Sequence, residues 1–271
     1  MSNFYQDKRV YITGGSSGIG LALACAGASR GAHVAIFARD KTRREQACEK
    51  VASHRQSGSQ NIQGYELDVQ QLDKLPGQLA QVHSEFGPPD IVITSAGVAV
   101  AKPFEEHTLE DFQQNINTNV LGTVAFVHAL VPELKKQGGN IVMIGSLGGL
   151  IPTWGYSAYS ASKAALVGLA EVLDSELRPA GIKVSLVCPS EAATPMIAAE
   201  AATVPVQTRF LKDLLGTTTA EVVAESTLAG VEKGKSLIIH GFRGKYAYLI
   251  KRLFPNLMRV STALLLARLD K

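Results

Sequence analysis

Short runs of apolar residues recur along the chain, separated by longer segments whose apolar positions repeat at helical spacing. The runs cover 10–13, 33–38, 62–69, 90–95, 140–145, 182–188 and 236–240. Most are apolar at consecutive rather than alternate positions, which predicts strands buried on both faces. The intervening segments predict helices over 18–30, 41–56, 70–86, 110–137, 157–179 and 219–232. This alternation implies an α/β fold: a seven-stranded, mainly parallel, doubly wound sheet with helices on both faces. Lys135-Lys136 before Gly138-Gly139 reads as the basic last turn and C-cap of the fourth helix, which is expected to bend near Gly122.

Composition fits one domain and narrows the partners. The 271 residues are 46% hydrophobic and 19% charged, and the net charge of +3 is too small to imply nucleic acid. No apolar segment has the length of a spanning helix, and the N-terminal residues do not read as a signal peptide. Cys25, Cys48 and Cys188 follow no paired spacing, which suits a reducing compartment, and a cytoplasmic location is expected. The six histidines show no metal-ligand spacing, so no metal is expected.

The first predicted strand runs into Thr13-Gly14-Gly15-Ser16-Ser17-Gly18-Ile19-Gly20 and then directly into a helical segment. A glycine-rich turn between strand and helix lets backbone N–H groups and the helix N-terminus approach a pyrophosphate. With the following strand it makes a βαβ mononucleotide-binding unit. The second strand ends Ala38-Arg39, where sites for NAD generally place an acid. Arg39, with Lys41, Arg43 or Arg44 on the next turn, could hold a 2′-phosphate, so NADPH/NADP is the expected cofactor. Asp40 could cap the next helix. Asp68-Val69 could hold the adenine, or Asp68 could be a helix N-cap; Ala96-Gly97 allow the chain to pass close to the cofactor. Tyr159 and Lys163 are four apart, on one face of a predicted helix. A lysine there would lower the phenol's pKa toward that of a working acid or base; alone, such a pair could equally be packing a ring on a stem.

Taken together, Thr13-Gly14-x-x-x-Gly18-x-Gly20, Asn119, Ser146, Tyr159-x-x-x-Lys163 and Pro189 resemble the short-chain dehydrogenase/reductase family over nearly the whole chain. The resemblance implies a single-domain Rossmann fold. It makes Tyr159 the proton donor or acceptor, Lys163 the ligand of the nicotinamide ribose, Ser146 the holder of the substrate oxygen and Asn119 the support of a water relay. It also implies cofactor contacts from Thr13, Gly14, Ser16, Ser17, Gly18, Ile19, Gly20, Ala96, Gly97, Tyr159, Lys163, Pro189 and Thr194. Two departures stand out: Thr94-Ser95-Ala96-Gly97 replaces Asn-Asn-Ala-Gly, and Pro189-Ser190-Glu191 replaces Pro-Gly.

Within the family, Thr194-Pro195-x-x-Ala198-x-Glu200-x-x-Thr203-x-Pro205-x-x-Thr208-Arg209 is most similar to the substrate loop of the 3-ketodihydrosphingosine reductases. That branch implies a long-chain lipid ketone, covered by Met196, Ile197, Val204, Val206, Phe210 and Leu211, with Glu191 or Glu200 against an ammonium group. A reductase of 3-oxoacyl thioesters or small alcohols stays open, as does a non-catalytic NADP-binding regulator. Residues 1–242 are expected to form the catalytic domain, with a substrate loop at 190–216. Residues 243–271 are expected to form a basic, apolar helical extension that could lie on a membrane, make a dimer contact or cover the site. The family resemblance also implies a homo-oligomer.

Overall fold

The structure is a computed structural model describing residues 3–269. Asp270 and Lys271, included in the expected extension, lie outside the described residues. The chain opens with β1 (Arg9–Thr13), α1 (Gly18–Ala28), β2 (His33–Ala38), α2 (Lys41–Ala52), β3 (Ile62–Glu66), α3 (Leu75–Phe86) and β4 (Ile91–Thr94). It continues with α4 (Leu109–Asn115), a π-helical turn (Ile116–Leu121), α5 (Gly122–Gln137), β5 (Gly139–Ile144), α6 (Leu147–Leu150) and α7 (Ser157–Leu177). Then follow β6 (Ile182–Cys188), β7 (Glu191–Ala193), α8 (Pro195–Glu200), α9 (Val206–Leu215), β8 (Thr217–Thr219), α10 (Ala220–Glu232) and β9 (Leu237–Ile239). Helices α11 (Phe242–Leu253) and α12 (Pro255–Leu266) follow β9.

Seven strands form one sheet in the order β3-β2-β1-β4-β5-β6-β9, and every pairing is parallel. The consecutive apolar positions explain this, because neighbouring side chains serve opposite faces. Tyr11, Val92, Ile141 and Met143 pack against α3, α5 and α7, while Val10, Ile12, Ile93 and Val142 pack against α1, α2 and α10. The order in which strands are added reverses between β1 and β4, and the crevice at the strands' C-terminal ends there is where ligands bind in such sheets.

Local structure departs from the expected pattern at three places. Helix α3 starts at Leu75 rather than at residue 70, because Asp68 Oδ1 accepts from Gln70 N at 3.0 Å and holds a turn. The irregularity expected near Gly122 is the π-turn just before it. Gly122 does not break the helix: a Cβ there would lie 2.8 Å from Val69 Cβ, so the glycine lets Val69 pack closely. The 190–216 loop is two helices whose flanks, β7 and β8, form a small parallel sheet. The C-cap after Lys135 and Lys136 forms as expected, with Gly138 at φ 76. No described helix is long and apolar enough to cross a membrane.

Candidate active site

Gly14, at φ 66, turns the chain from β1 beneath Ala96; a Cβ on it would lie 2.8 Å from Ala96 Cα. A Cβ on Gly20 would fall on Gly14 O, so helix and turn touch through backbone alone. Ser17 stands at the start of α1 with an extended backbone and no side-chain cap, leaving the first N–H groups of the helix directed at the crevice. Ser16, Ser17 and Gly18 line that crevice with Ile19, Ala96 and Gly97. Free helical N–H groups and a turn no side chain can fill fit the pyrophosphate of a dinucleotide. Thr13 is turned elsewhere: its Oγ1 accepts from Ser95 N (3.1 Å) and Ala96 N (3.2 Å), bracing the end of β4 where the family's usual asparagine is missing.

At one end of the crevice, Arg39 and Arg43 stand beside Asp68, Val69 and Ala38. Arg39 is 66% exposed and its nearest charge is Asp68, at 3.8 Å. Arg44 is unavailable for a phosphate: it is buried, donates to Ala38 O at 3.0 Å and lies 3.8 Å from Glu66. Lys41 faces Glu45 one turn on, at 4.0 Å. Asp40 caps α2 by accepting from Arg43 N at 2.8 Å.

The other end holds Ser146, Tyr159 and Lys163. Ser146 caps α6, its Oγ accepting from Gly148 N at 3.0 Å, which leaves the hydroxyl proton to donate elsewhere. Lys163 is 6% exposed, donates to Ile144 O at 2.8 Å and lies 5.8 Å from the centre of the Tyr159 ring. The expectation that lysine lowers the tyrosine's pKa is not met, because burial outweighs it. Burial pushes Tyr159 up to about 12, a hydrogen bond with Ser146 draws it part of the way back, and the charge of Glu200 raises it. The same burial brings Lys163 down to about 8.

Asn119 enters from the π-turn and is fully buried. Its Nδ2 donates to Val98 O (2.9 Å), Ser162 Oγ (2.9 Å) and Asn115 Oδ1 (3.3 Å), and its Oδ1 accepts from Val98 N (2.8 Å). The amide thus ties the loop after β4 to α7. A Cβ on Gly97 would lie 3.2 Å from Asn119 Oδ1 and 3.7 Å from Lys163 Nζ, so the glycine keeps open the space between them.

A polar network in the site wall had no counterpart in the sequence reading. Tyr156 OH donates to Glu200 Oε2 (2.7 Å) and accepts from Lys212 Nζ (3.1 Å); Lys212 also pairs with Glu191, which accepts from Arg209 at 2.7 Å. Burial raises Glu191, but hydrogen bonds from Lys212 and Arg209 more than offset it and hold the carboxyl below its ordinary range. Burial keeps Glu200 above its ordinary range despite the Tyr156 hydrogen bond. Both glutamates are thus engaged by the chain's own groups, and Glu200 keeps one buried oxygen, Oε1, without a hydrogen-bond partner. The only sequence signal was Tyr156 three positions before Tyr159, their rings 5.4 Å apart. Pro189, whose carbonyl accepts from Leu147 N at 2.9 Å, and Thr194, which caps α8, complete this wall. Of the six apolar loop residues expected to cover substrate, Met196 and Ile197 line the cleft, whereas Val206 faces solvent.

Residues 8–205 match the family model described as short chain dehydrogenase. The chain belongs to the short-chain dehydrogenase family. It is an oxidoreductase of the CH–OH/C=O couple, and its cofactor is a nicotinamide nucleotide. Among curated relatives, a 3-dehydrosphinganine reductase of Danio rerio is 32% identical over 227 residues, spanning 83% of this chain and 68% of the relative. An 11-beta-hydroxysteroid dehydrogenase-like protein of Arabidopsis thaliana is 32% identical, over 93% of this chain and 79% of the relative. A solved short-chain dehydrogenase/reductase from Burkholderia phymatum shares the fold, with a TM-score of 0.81 at 24% identity over 95% of this chain and 96% of the other.

Proposed function

We propose that this chain is an NADPH-dependent reductase of a long-chain lipid ketone of the 3-ketodihydrosphingosine class. Residues 1–242 form the catalytic domain, 190–216 the substrate lid and 243–271 an extension. The observation that carries the reaction is that Ser146, Tyr159 and Lys163 share one crevice with the uncapped start of α1. Bound there, NADPH supplies hydride to the carbonyl carbon. Ser146 donates to the carbonyl oxygen and fixes its position, and Tyr159 delivers its proton as charge develops on that oxygen. A phenol whose pKa lies near 12 is protonated at neutral pH, which suits proton donation and hence reduction. Lys163, still largely charged below about pH 8, adds positive potential and holds the ribose. Asn119 and the gap beside Gly97 support the relay that restores the tyrosine's proton.

The preference for NADPH rests on Arg39 and Arg43, cationic and open at the crevice end with no acid at the tip of β2. The substrate class rests on the relatives named 3-dehydrosphinganine and 3-ketodihydrosphingosine reductase, and on the apolar wall of Leu147, Met196, Ile197 and Leu215. The test is turnover of NADPH and NADH against a panel of ketosphinganine, 3-oxoacyl thioesters, ketosteroids and small ketones. Ketosphinganine with NADPH should give the highest kcat/KM, and Tyr159→Phe should lower kcat by about 10²–10⁴-fold with cofactor Kd unchanged. Preference for another class refutes the substrate, and full activity in Tyr159→Phe refutes the mechanism. Cofactor binding without turnover of any ketone would make the chain a regulator.

A further inference from the structure

Helices α11 and α12 carry a continuous apolar stripe that faces away from the body of the protein. In α11, Phe242, Tyr246, Leu249 and Leu253 are 50–79% exposed. At roughly 100° per residue they fall within an arc of about 60°. The opposite side is anchored: Gly244 is buried with Leu147 and Ile239 close by, Tyr248 packs on the core, and Lys251 donates to Leu150 O. Phe254 continues the stripe across the break at Pro255, and Leu257, Val260 and Leu264 extend it along α12 at 54–62% exposure. Exposed Arg243 stands on one flank of the α11 stripe, and exposed Lys245 and Arg252 on the other. Arg259 and Arg268 are also exposed, and residues 241–269 contain no acid.

We propose that this stripe docks the enzyme on an anionic lipid surface, with α11 lying along the headgroups. An apolar strip with cations on both flanks matches such a surface, where the strip enters the acyl boundary and the cations meet lipid phosphates. A second copy of this chain is the poorer partner, because two such faces would bring cations against cations with no acid to offset them. The placement also sets a distance. Leu147, which lies against Gly244 of α11, and Leu215, at the end of α9, both line the catalytic cleft. Docking by the stripe therefore leaves α11 between the lipid surface and Leu147, so the apolar wall of the cleft stands one helix diameter, roughly 10–12 Å, from the membrane.

The test uses the full chain in flotation with vesicles of phosphatidylcholine alone and with about 30 mol % phosphatidylserine. Wild type should float with the anionic vesicles and stay behind with the neutral ones. The triple variant Arg243→Gln, Lys245→Gln, Arg252→Gln should weaken partitioning by about fivefold per cation removed, and Leu249→Ser with Leu253→Ser should abolish it. Both variants should keep wild-type kcat/KM on a water-soluble ketone, which shows that they fold and separates this proposal from that of the substrate. No flotation, equal flotation on both vesicles, or undiminished flotation of the variants would overturn it. So would concentration-dependent dimerisation abolished by the leucine changes without vesicle recruitment, which would assign the stripe to a second copy.

Discussion

Replacing Lys163 with methionine should remove turnover and yet relieve the fold of a cost. The side chain is 6% exposed, and burial brings its pKa from 10.5 to about 8. That drop corresponds to about 3 kcal/mol by which the folded protein disfavours the ammonium. Because the folded value lies below the unfolded one, the unfolded chain binds the extra proton between pH 8 and 10.5. Wild-type stability therefore rises with pH across that window, with the full penalty present below it. Methionine has similar length and no charge, but leaves Ile144 O without its 2.8 Å donor, at about 1–3 kcal/mol. The two effects largely cancel near neutrality, so the decisive quantity is their pH dependence. Urea denaturation of both apoproteins, from about pH 7 to about pH 10, should show wild type gaining about 2–3 kcal/mol relative to Lys163→Met, since other titrations cancel in the difference. A difference that stays level with pH would refute the claim that this lysine is held charged against its surroundings.

Three further outcomes follow from the site. In the reductive direction, kcat/KM should be level to about pH 8 and then fall as Lys163 loses its proton, while Tyr159, at about 12, remains protonated; a profile level to about pH 10 would contradict this. Arg39→Ser should lower the preference for NADPH over NADH by about 10–100-fold in a kcat/KM comparison, and no change would remove Arg39 from the phosphate site. Gly14→Ala places a side chain at φ 66 and 2.8 Å from Ala96 Cα, so NADPH Kd measured by fluorescence titration should rise at least about tenfold; an unchanged Kd would show that the turn has no part in binding.

The sheet was legible because burial on both faces writes itself as consecutive apolar residues, whereas the order of its strands came only from the structure. The crevice was legible because the Gly14 to Gly20 turn and the Tyr159 to Lys163 spacing are local. What escaped was non-local. Lys212 meets Tyr156 across 56 positions, and Arg44 turns from the crevice to Ala38 O for a reason set by packing of α2 on β3. The π-turn left no periodic signature, since one widened turn shifts helical phase only locally. The direction of the Tyr159 shift was misjudged because a nearby lysine is visible in sequence and the extent of desolvation is not.

The pairing of β7 with β8 has a consequence for how this enzyme could change its substrate. Glu191 lies opposite Thr217 and Ala193 opposite Thr219, so the chain leaves the body and returns at adjacent points. Everything between them, including α8 and α9, is a cassette closed by its own short clasp. A cassette with neighbouring ends can be exchanged for one of another length or lining with little change in loop-closure entropy and without altering the register of the large sheet. Ser146, Tyr159 and Lys163 lie outside it, so Met196, Ile197 and Leu215 of the apolar wall could be exchanged while those three side chains keep their places on the large sheet and its helices.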